Sequence, residues 1–355
     1  MEIVALVVGA TGIAGRGVSQ ELLSIGARAY GVSRHREGIV PGVKHVAADL
    51  QDQASVVRAV SGLKPSHVYL TVWSRRPTEE ENIKVNAGIV RTVLDALAPA
   101  RSVKHVALVT GLKHYLGPFE AYARSGLLPP TPVREEQPRL DVPNFYYDQE
   151  DEVYAAARRD GFTWSVHRPH TIIGKAIGNA MNMGTTLAAY ASICKELGRP
   201  FKFPGSVAQW NGLTDMTDAR VLAKQLVWAS TTDVAKNEAY NVVNGDIFRW
   251  SWLWPRLAKW FGVASQGFEA APVPLEGQMT NDGKVWKEMT SKYGLVEPDL
   301  WRVASPWHTD LDMGRPLEVM TDMTRSRKLG FLVYQNTEEA FHDLFATLRA
   351  EKIIP

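Results

Sequence analysis

Two short segments carry the residues best suited to proton chemistry. Asn144-Phe145-Tyr146-Tyr147-Asp148-Gln149-Glu150-Asp151 offers two phenols beside carboxylates, and Thr110-Gly111-Leu112-Lys113-His114-Tyr115-Leu116-Gly117-Pro118-Phe119 offers a lysine. A phenol polarised by a nearby ammonium is a strong hydrogen-bond donor or general acid. When such a pair sits on one helix it is spaced Tyr-x-x-x-Lys, which puts both side chains on one face. Here neither Tyr146 nor Tyr147 is followed by a lysine four residues on; Glu150 and Asp151 stand there instead. The cation must come from the other segment. Read alone, either tyrosine serves, since neighbours on a helix point about 100° apart, and each is equally well read as a packing residue at a helix start. Lys113 alone reads as a solvated charge. Glu150 and Asp151 read as helix charge or as contacts to the lysine-bearing segment rather than as an acid pair.

The elements that must position these residues begin at the N-terminus. An apolar run, 3–8, passes into Gly9-Ala10-Thr11-Gly12-Ile13-Ala14-Gly15 and then into an amphipathic stretch ending near Ile25, which is strand, glycine turn and helix. Gly9 permits the turn, Gly12 lets backbone approach a pyrophosphate, and Gly15 allows close helix packing, with Thr11 and Ile13 beside them at the cofactor. A second strand, 27–33, ends in Ser33-Arg34-His35-Arg36. An acid at that place would bind a ribose 2′-hydroxyl, whereas Ser33, Arg34 and Arg36 suit a 2′-phosphate, so NADPH is the expected cofactor. A third strand, 43–48, ends at Asp49-Leu50. Asp49 there either meets the adenine amino group or caps a helix over 51–62. A fourth strand, 67–73, brings Thr71 and Trp73 to the cofactor side, and a helix from about Glu79 carries Asn82 and Asn86. A fifth strand, 105–110, delivers Thr110 and the lysine segment. A sixth, 163–167, runs into Arg168-Pro169, with Pro169 and Ile172 placed at the cofactor.

The sequence therefore predicts an α/β fold, a Rossmann doubly wound parallel sheet over 1–170, followed over 171–355 by a smaller, mainly helical substrate lobe with segments returning to the core. At 355 residues the chain can bury a large core. A formal net charge of +2 without basic blocks gives no footprint for nucleic acid or an anionic membrane. Cys194 is the sole cysteine, which excludes an internal disulfide and a cysteine-rich metal site and reads as a buried small hydrophobe; no metal is expected. No signal-peptide pattern or membrane-spanning run is present, which points to a cytoplasmic protein. The segment Ser125 to Pro132 reads as an exposed loop between the two motifs.

The lysine and tyrosine strings resemble the signatures of the progesterone 5β-reductase and iridoid synthase-like enzymes, atypical extended short-chain dehydrogenases/reductases. The resemblance extends through the glycine turn at 9–15, Trp-Ser-Val-His-Arg-Pro at 164–169, Tyr-Ala-Ser-Ile-Cys-Lys at 190–195, the segment 237–246 and Lys-Ile-Ile-Pro at the C-terminus. It implies NADPH-dependent reduction of the carbon–carbon double bond of an activated enone or enal. Hydride goes to the β-carbon, Tyr146 is the catalytic phenol and Lys113 its cation. Counting back from Arg168-Pro169, the position of the ordinary helix lysine falls on Glu150, and four residues earlier lies Tyr146. The phenol keeps its place while an acid replaces the lysine.

The chain departs from the plant pattern at Arg-Pro-His-Thr-Ile-Ile-Gly, where plant members resemble Arg-Pro-Gly-Asn-Ile-Phe-Gly, and it lacks their N-terminal extension, as expected of a bacterial-type member. His170 is either a pocket residue or a hydrogen-bonded structural histidine. The substrate wall is expected from Trp73, Phe119, Met181, Met183, Phe203 and Trp210, which suit a small lipophilic enone or enal. Trp250, Trp252 and Trp254 read as helix packing. A homodimer is compatible with the superfamily. The rival readings are a carbonyl reductase or sugar-nucleotide-modifying enzyme of the same superfamily, and a non-enzymatic NADP(H) sensor.

Overall fold

A computed structural model describes residues 2–118 and 130–355, and the chain divides into two compact units. The first comprises the residues up to His170 together with Ala219–Val242 and Asp322–Val333. Its strands are β1 (Val4–Val8), β2 (Arg28–Ser33), β3 (Lys44–Ala47), β4 (His67–Leu70), β5 (His105–Val109), β6 (Thr163–Pro169) and β7 (Glu238–Val242). They form one parallel sheet in the order β7-β6-β5-β4-β1-β2-β3, so the direction of winding reverses between β1 and β4. The predicted doubly wound Rossmann sheet is what forms. β4 ends at Leu70, three residues short of the expected strand, and leaves Thr71 to Trp73 as a loop at the strand's C-terminal end.

The helices that concern the site are α1 (Ile13–Ser24), α2 (Gln53–Val60), α3 (Glu79–Leu97), α4 (Lys113–Leu116), α5 (Phe145–Asp160) and α6 (Ala219–Thr231). Because side chains alternate across a strand, Val68, Leu70, Val106, Leu108 and Val166 gather on one face. They form an apolar core with Val56, Val60, Val90, Val93 and Val153 from α2, α3 and α5. The opposite parity carries polar residues, which pair beneath α6. His105 bonds the Thr163 and Ser165 hydroxyls at 2.9 Å each, and His167 bonds Ser165 at 2.9 Å and the Gln225 carbonyl at 2.8 Å. Tyr69 and Ser230 share a further hydrogen bond at 2.8 Å. His105, His167, Ser165, Tyr69 and Ser230 thus have partners beneath α6, as burial demands.

The second unit, Thr171–Asp218, Val243–Thr321 and Tyr334–Pro355, is mainly helical, as expected, with two short strand pairs. The helix Trp250–Phe261 places Trp250 and Trp254 four residues apart on its buried face, while Trp252 remains on the surface. Phe201 stacks on Trp254 with ring centroids 4.0 Å apart, and Cys194 lies buried in the same apolar cluster. No helix among the described residues is long and apolar enough to cross a membrane.

Candidate active site

At the end of β1 the backbone turns sharply at Gly9, which adopts a positive φ of 88°. Gly15 faces it so closely that a β-carbon there would lie 2.1 Å from the Gly9 carbonyl oxygen, so only glycine allows α1 to start this near the strand. The start of α1 is also chemically open. Its N-cap is Gly12, with no side chain to accept from the first-turn N–H groups, and that turn carries no acid. By contrast Asp52, Thr78 and Asn144 cap α2, α3 and α5 through their side chains. An anion is the missing partner that this arrangement suits.

Arg34 and Arg36 follow β2 as exposed side chains, and the Ser33 hydroxyl turns back to the His35 carbonyl at 2.7 Å. Asp49 does not cap a helix. The cap of α2 is Asp52, three residues on, and the Asp49 carboxylate instead accepts from the Gln51 N–H at 3.0 Å, closing the turn that leads there. Leu50 packs half-buried against the apolar core. Thr71 donates its hydroxyl to the Val8 carbonyl at 2.8 Å and so ties the end of β4 to the glycine turn.

The lysine and the tyrosine meet. Lys113 opens α4 immediately past β5 and is buried, its ammonium 5.0 Å from the ring centroids of both Trp73 and Phe145 and 6.0 Å from that of Tyr146. Trp73 and Phe145 are themselves stacked, 5.3 Å apart and 17° from parallel. The cation therefore sits among aromatic faces that favour its charge. Tyr146 points back at the end of the sheet. A β-carbon on Gly111 would lie 3.3 Å from the Tyr146 hydroxyl and 3.2 Å from the Pro169 carbonyl, so the phenol's end lies where β5 and β6 finish. Tyr147, the rival phenol, is spent on structure. Its hydroxyl donates to the His114 carbonyl at 2.6 Å and accepts from the Leu140 N–H at 3.0 Å.

A sequence profile of the PRISE-like Rossmann-fold domain matches residues 36–355. The chain belongs to that family. It is 37% identical to an (S)-8-oxocitronellyl enol synthase of Camptotheca acuminata over 99% of this chain and 93% of the relative. To the 3-oxo-Delta(4,5)-steroid 5-beta-reductase of Arabidopsis thaliana it is also 37% identical, over 100% of this chain and 94% of the relative. Among solved structures, the UDP-glucose 4-epimerase of Thermotoga maritima superposes with a TM-score of 0.70 at 14% identity, covering 98% of both chains. That likeness concerns the fold. Family membership agrees with the resemblance carried by the two motifs, and the chain is an oxidoreductase of the PRISE-like family.

In this PRISE-like chain the position of the ordinary helix lysine, Glu150, is buried and surrounded by donors. Arg139 and Arg168 reach its two oxygens at 3.0 and 3.4 Å, and the His114 ring approaches to 3.6 Å. Burial pushes the Glu150 carboxyl up, but His114, Arg168 and Arg139 outweigh it and hold it below the usual glutamate value. His114 is itself pushed down by burial, so at neutral pH the ring is uncharged and the arginines balance the carboxylate. Arg168 also donates to the Tyr115 hydroxyl at 3.1 Å, which donates in turn to Asn241 of β7 at 2.8 Å. The reading of Glu150 as a contact to the lysine-bearing segment holds, and Asp151 pairs with Arg139 on the surface.

Other supports have partners that the sequence does not reveal. Glu79, at the start of α3, accepts from the Phe145 N–H at 2.7 Å. Asn82 and Asn86, legible only as a helical pair, accept from the Arg76 and Ser74 N–H groups at 2.7 and 2.6 Å and so fix the loop after Trp73. Thr110 is held by the His167 carbonyl at 2.9 Å. Nothing in residue type alone marks Glu79 for this task, because its partner lies 66 positions away.

Pro169 and His170 are buried at the end of β6, whereas Ile172 lies in the second unit. So do Met181, Met183, Phe203 and Trp210. Met183 and Phe203 are packed in that unit's apolar core, and Phe203 meets Trp210 with centroids 4.8 Å apart. Met181 is half-buried just before the helix Met183–Leu197. Phe119 lies outside the described residues.

Proposed function

We propose that the protein reduces the carbon–carbon double bond of an activated enone or enal with NADPH, Tyr146 donating to the oxygen that becomes an enolate and Lys113 holding that phenol polarised. The observation that carries this reading is the buried Lys113 ammonium set beside Tyr146, Trp73 and Phe145 at the end of β5. NADPH supplies the hydride. The chain's fit to it rests on the uncapped, acid-free start of α1, the glycine cradle at Gly9 and Gly15, and Ser33, Arg34 and Arg36 beyond β2. Thr11, Gly12, Ile13, Asp49, Leu50, Thr71, Trp73, Thr110 and Pro169 complete the proposed cofactor contacts.

Hydride arriving at the β-carbon drives electron density onto the carbonyl oxygen. Stabilising that oxyanion needs a donor aimed at it, and solvent can protonate the α-carbon afterwards. A phenol without a helix lysine meets that need. Ketone reduction asks for more, since the proton must travel with the hydride. The names of the relatives, an enol synthase and a steroid 5-beta-reductase, support the same reading. The substrate is proposed to be small and lipophilic, set against the Trp73 ring.

The test is NADPH consumption with cyclohexenone, methyl vinyl ketone, progesterone and a monoterpene dialdehyde, with products identified by mass spectrometry. Saturated ketone or aldehyde is expected. Allylic alcohol would place the protein among carbonyl reductases, and cofactor binding without turnover would make it a sensor. Tyr146→Phe and Lys113→Ala should each lower kcat by about a hundredfold or more while NADPH binding, followed by its fluorescence, changes little. Full activity in both variants would mean that the site is elsewhere.

A further inference from the structure

Asn144 touches the backbone of both proposed catalytic residues. It is buried and caps α5, its side-chain oxygen accepting from the Tyr146 N–H at 3.1 Å. Its amide nitrogen donates to the Lys113 carbonyl at 2.7 Å, across 31 positions of sequence. Only one orientation of the amide satisfies both bonds, because the acceptor must face an N–H and the donor a carbonyl. One turn of helix away, Tyr147 repeats the connection by donating to the next carbonyl, that of His114. The lysine-bearing turn is thus fastened to the start of the tyrosine helix by two adjacent carbonyls.

We infer that Asn144 is the positioning residue that sets Lys113 against Tyr146, doing by one side-chain amide what a shared helix does when both residues lie on it. The inference rests on the proposed roles of those two residues. Placing a lysine through its own helix fixes its backbone relative to the tyrosine at no further cost. Separating the pair removes that constraint. α4 is a single turn of four residues whose N-cap, Leu112, has no side-chain hydrogen bond. Its placement must come from outside, and Asn144 bonds to the carbonyl of the lysine itself. Catalytic geometry is sensitive at this scale, since a misplacement of about 1 Å costs on the order of a hundredfold in rate.

The decisive variants keep the helix cap and lose the bridge. Serine and aspartate both cap helices well, but serine is too short to reach the Lys113 carbonyl and aspartate has no donor to offer it. Asn144→Ser and Asn144→Asp should therefore lower kcat by roughly ten- to a hundredfold, with NADPH affinity near that of the parent and a thermal midpoint lowered because the Lys113 carbonyl loses its donor. In a Lys113→Ala background Asn144→Ser should cause no further loss, because its action runs through the lysine. If Asn144→Ser does not fold, Asn144→Asp, with the same cap, reads the same quantity. Parental kcat in the folded variants, or an equal loss with and without Lys113, would overturn the inference and leave the reaction intact. A parent protein that reduces no enone would sink the proposed reaction first, and this role with it.

Discussion

The sheet passes from strand to helix at β1–α1 and again at β5–α4, and the two passages are built on opposite principles. The first is shaped by backbone. Gly9, Gly12 and Gly15 set it, and the neighbouring strands add the Val32 carbonyl, which accepts from the Gly9 N–H, and the Thr71 hydroxyl, which donates to the Val8 carbonyl. The second is assembled from a distance. Lys113 is held among Trp73, Phe145 and Tyr146, its carbonyl is bonded by Asn144, its neighbour His114 by Tyr147, and the strand end at Thr110 by His167. In the roles proposed above, a passage that cradles a phosphate needs open N–H groups and little else, and one that aims an ammonium at a phenol needs side chains from several elements to over-determine it.

The comparison predicts where substitutions spread. Glu150→Gln removes the carboxylate that faces Arg168, buried, and Arg139, half-buried, on the underside of the second passage. Breaking such a pair leaves charge without compensation, and a loss of about 3 kcal/mol in unfolding free energy is expected. Denaturant titration of the variant measures it. A change below about 0.5 kcal/mol, the range of an ordinary surface substitution, would show that the second passage does not depend on its buried charges.

A smaller effect separates the two passages by pH. His167, whose carbonyl holds Thr110, is fully buried, and burial pushes its ring down to about 4. Between that value and the ordinary histidine value near 6.5, the unfolded chain binds a proton that the folded one does not. Stability is therefore complete above about pH 6.5 and falls as the pH drops toward 4, by about 2 kcal/mol at pH 5 from this residue alone. Burial also lowers His105 well below the ordinary histidine value, so it adds to the slope in the same direction. Urea unfolding at pH 7.5 and 5 gives the difference, and His167→Gln should flatten it. An unchanged slope in that variant would remove His167 from the account.

Which parts of this site were legible in the sequence follows from the same contrast. The glycine turn, the basic end of β2 and the Tyr146 and Lys113 strings all show in short windows, because each depends on residues close together. Residue type does not separate Tyr146 from Tyr147, whereas the fold engages the Tyr147 hydroxyl with the His114 carbonyl, 33 positions away. Asp49 was an even match for a helix cap because Asp52 stands three residues later, and nothing in residue type ranks the two. Glu79, Arg139 and Asn144 act over long separations, so their roles became visible only with the structure. β7 is of the same kind. It joins the sheet from residue 238 onward, long after the helical segments have begun.

The smallest expected effect belongs to the first passage. Arg34 and Arg36 are exposed beyond β2, so on the proposed preference for NADPH removing either leaves the fold untouched and weakens attraction for a 2′-phosphate. Arg34→Ala and Arg36→Ala should each weaken NADPH binding by about tenfold, leave NADH binding unchanged, and lose their effect as salt is raised. Titration of cofactor fluorescence at two ionic strengths checks this. Equal weakening of NADH and NADPH would mean that these arginines bind the shared pyrophosphate or shape the loop, and that the choice between the two cofactors is made elsewhere along the β2 edge.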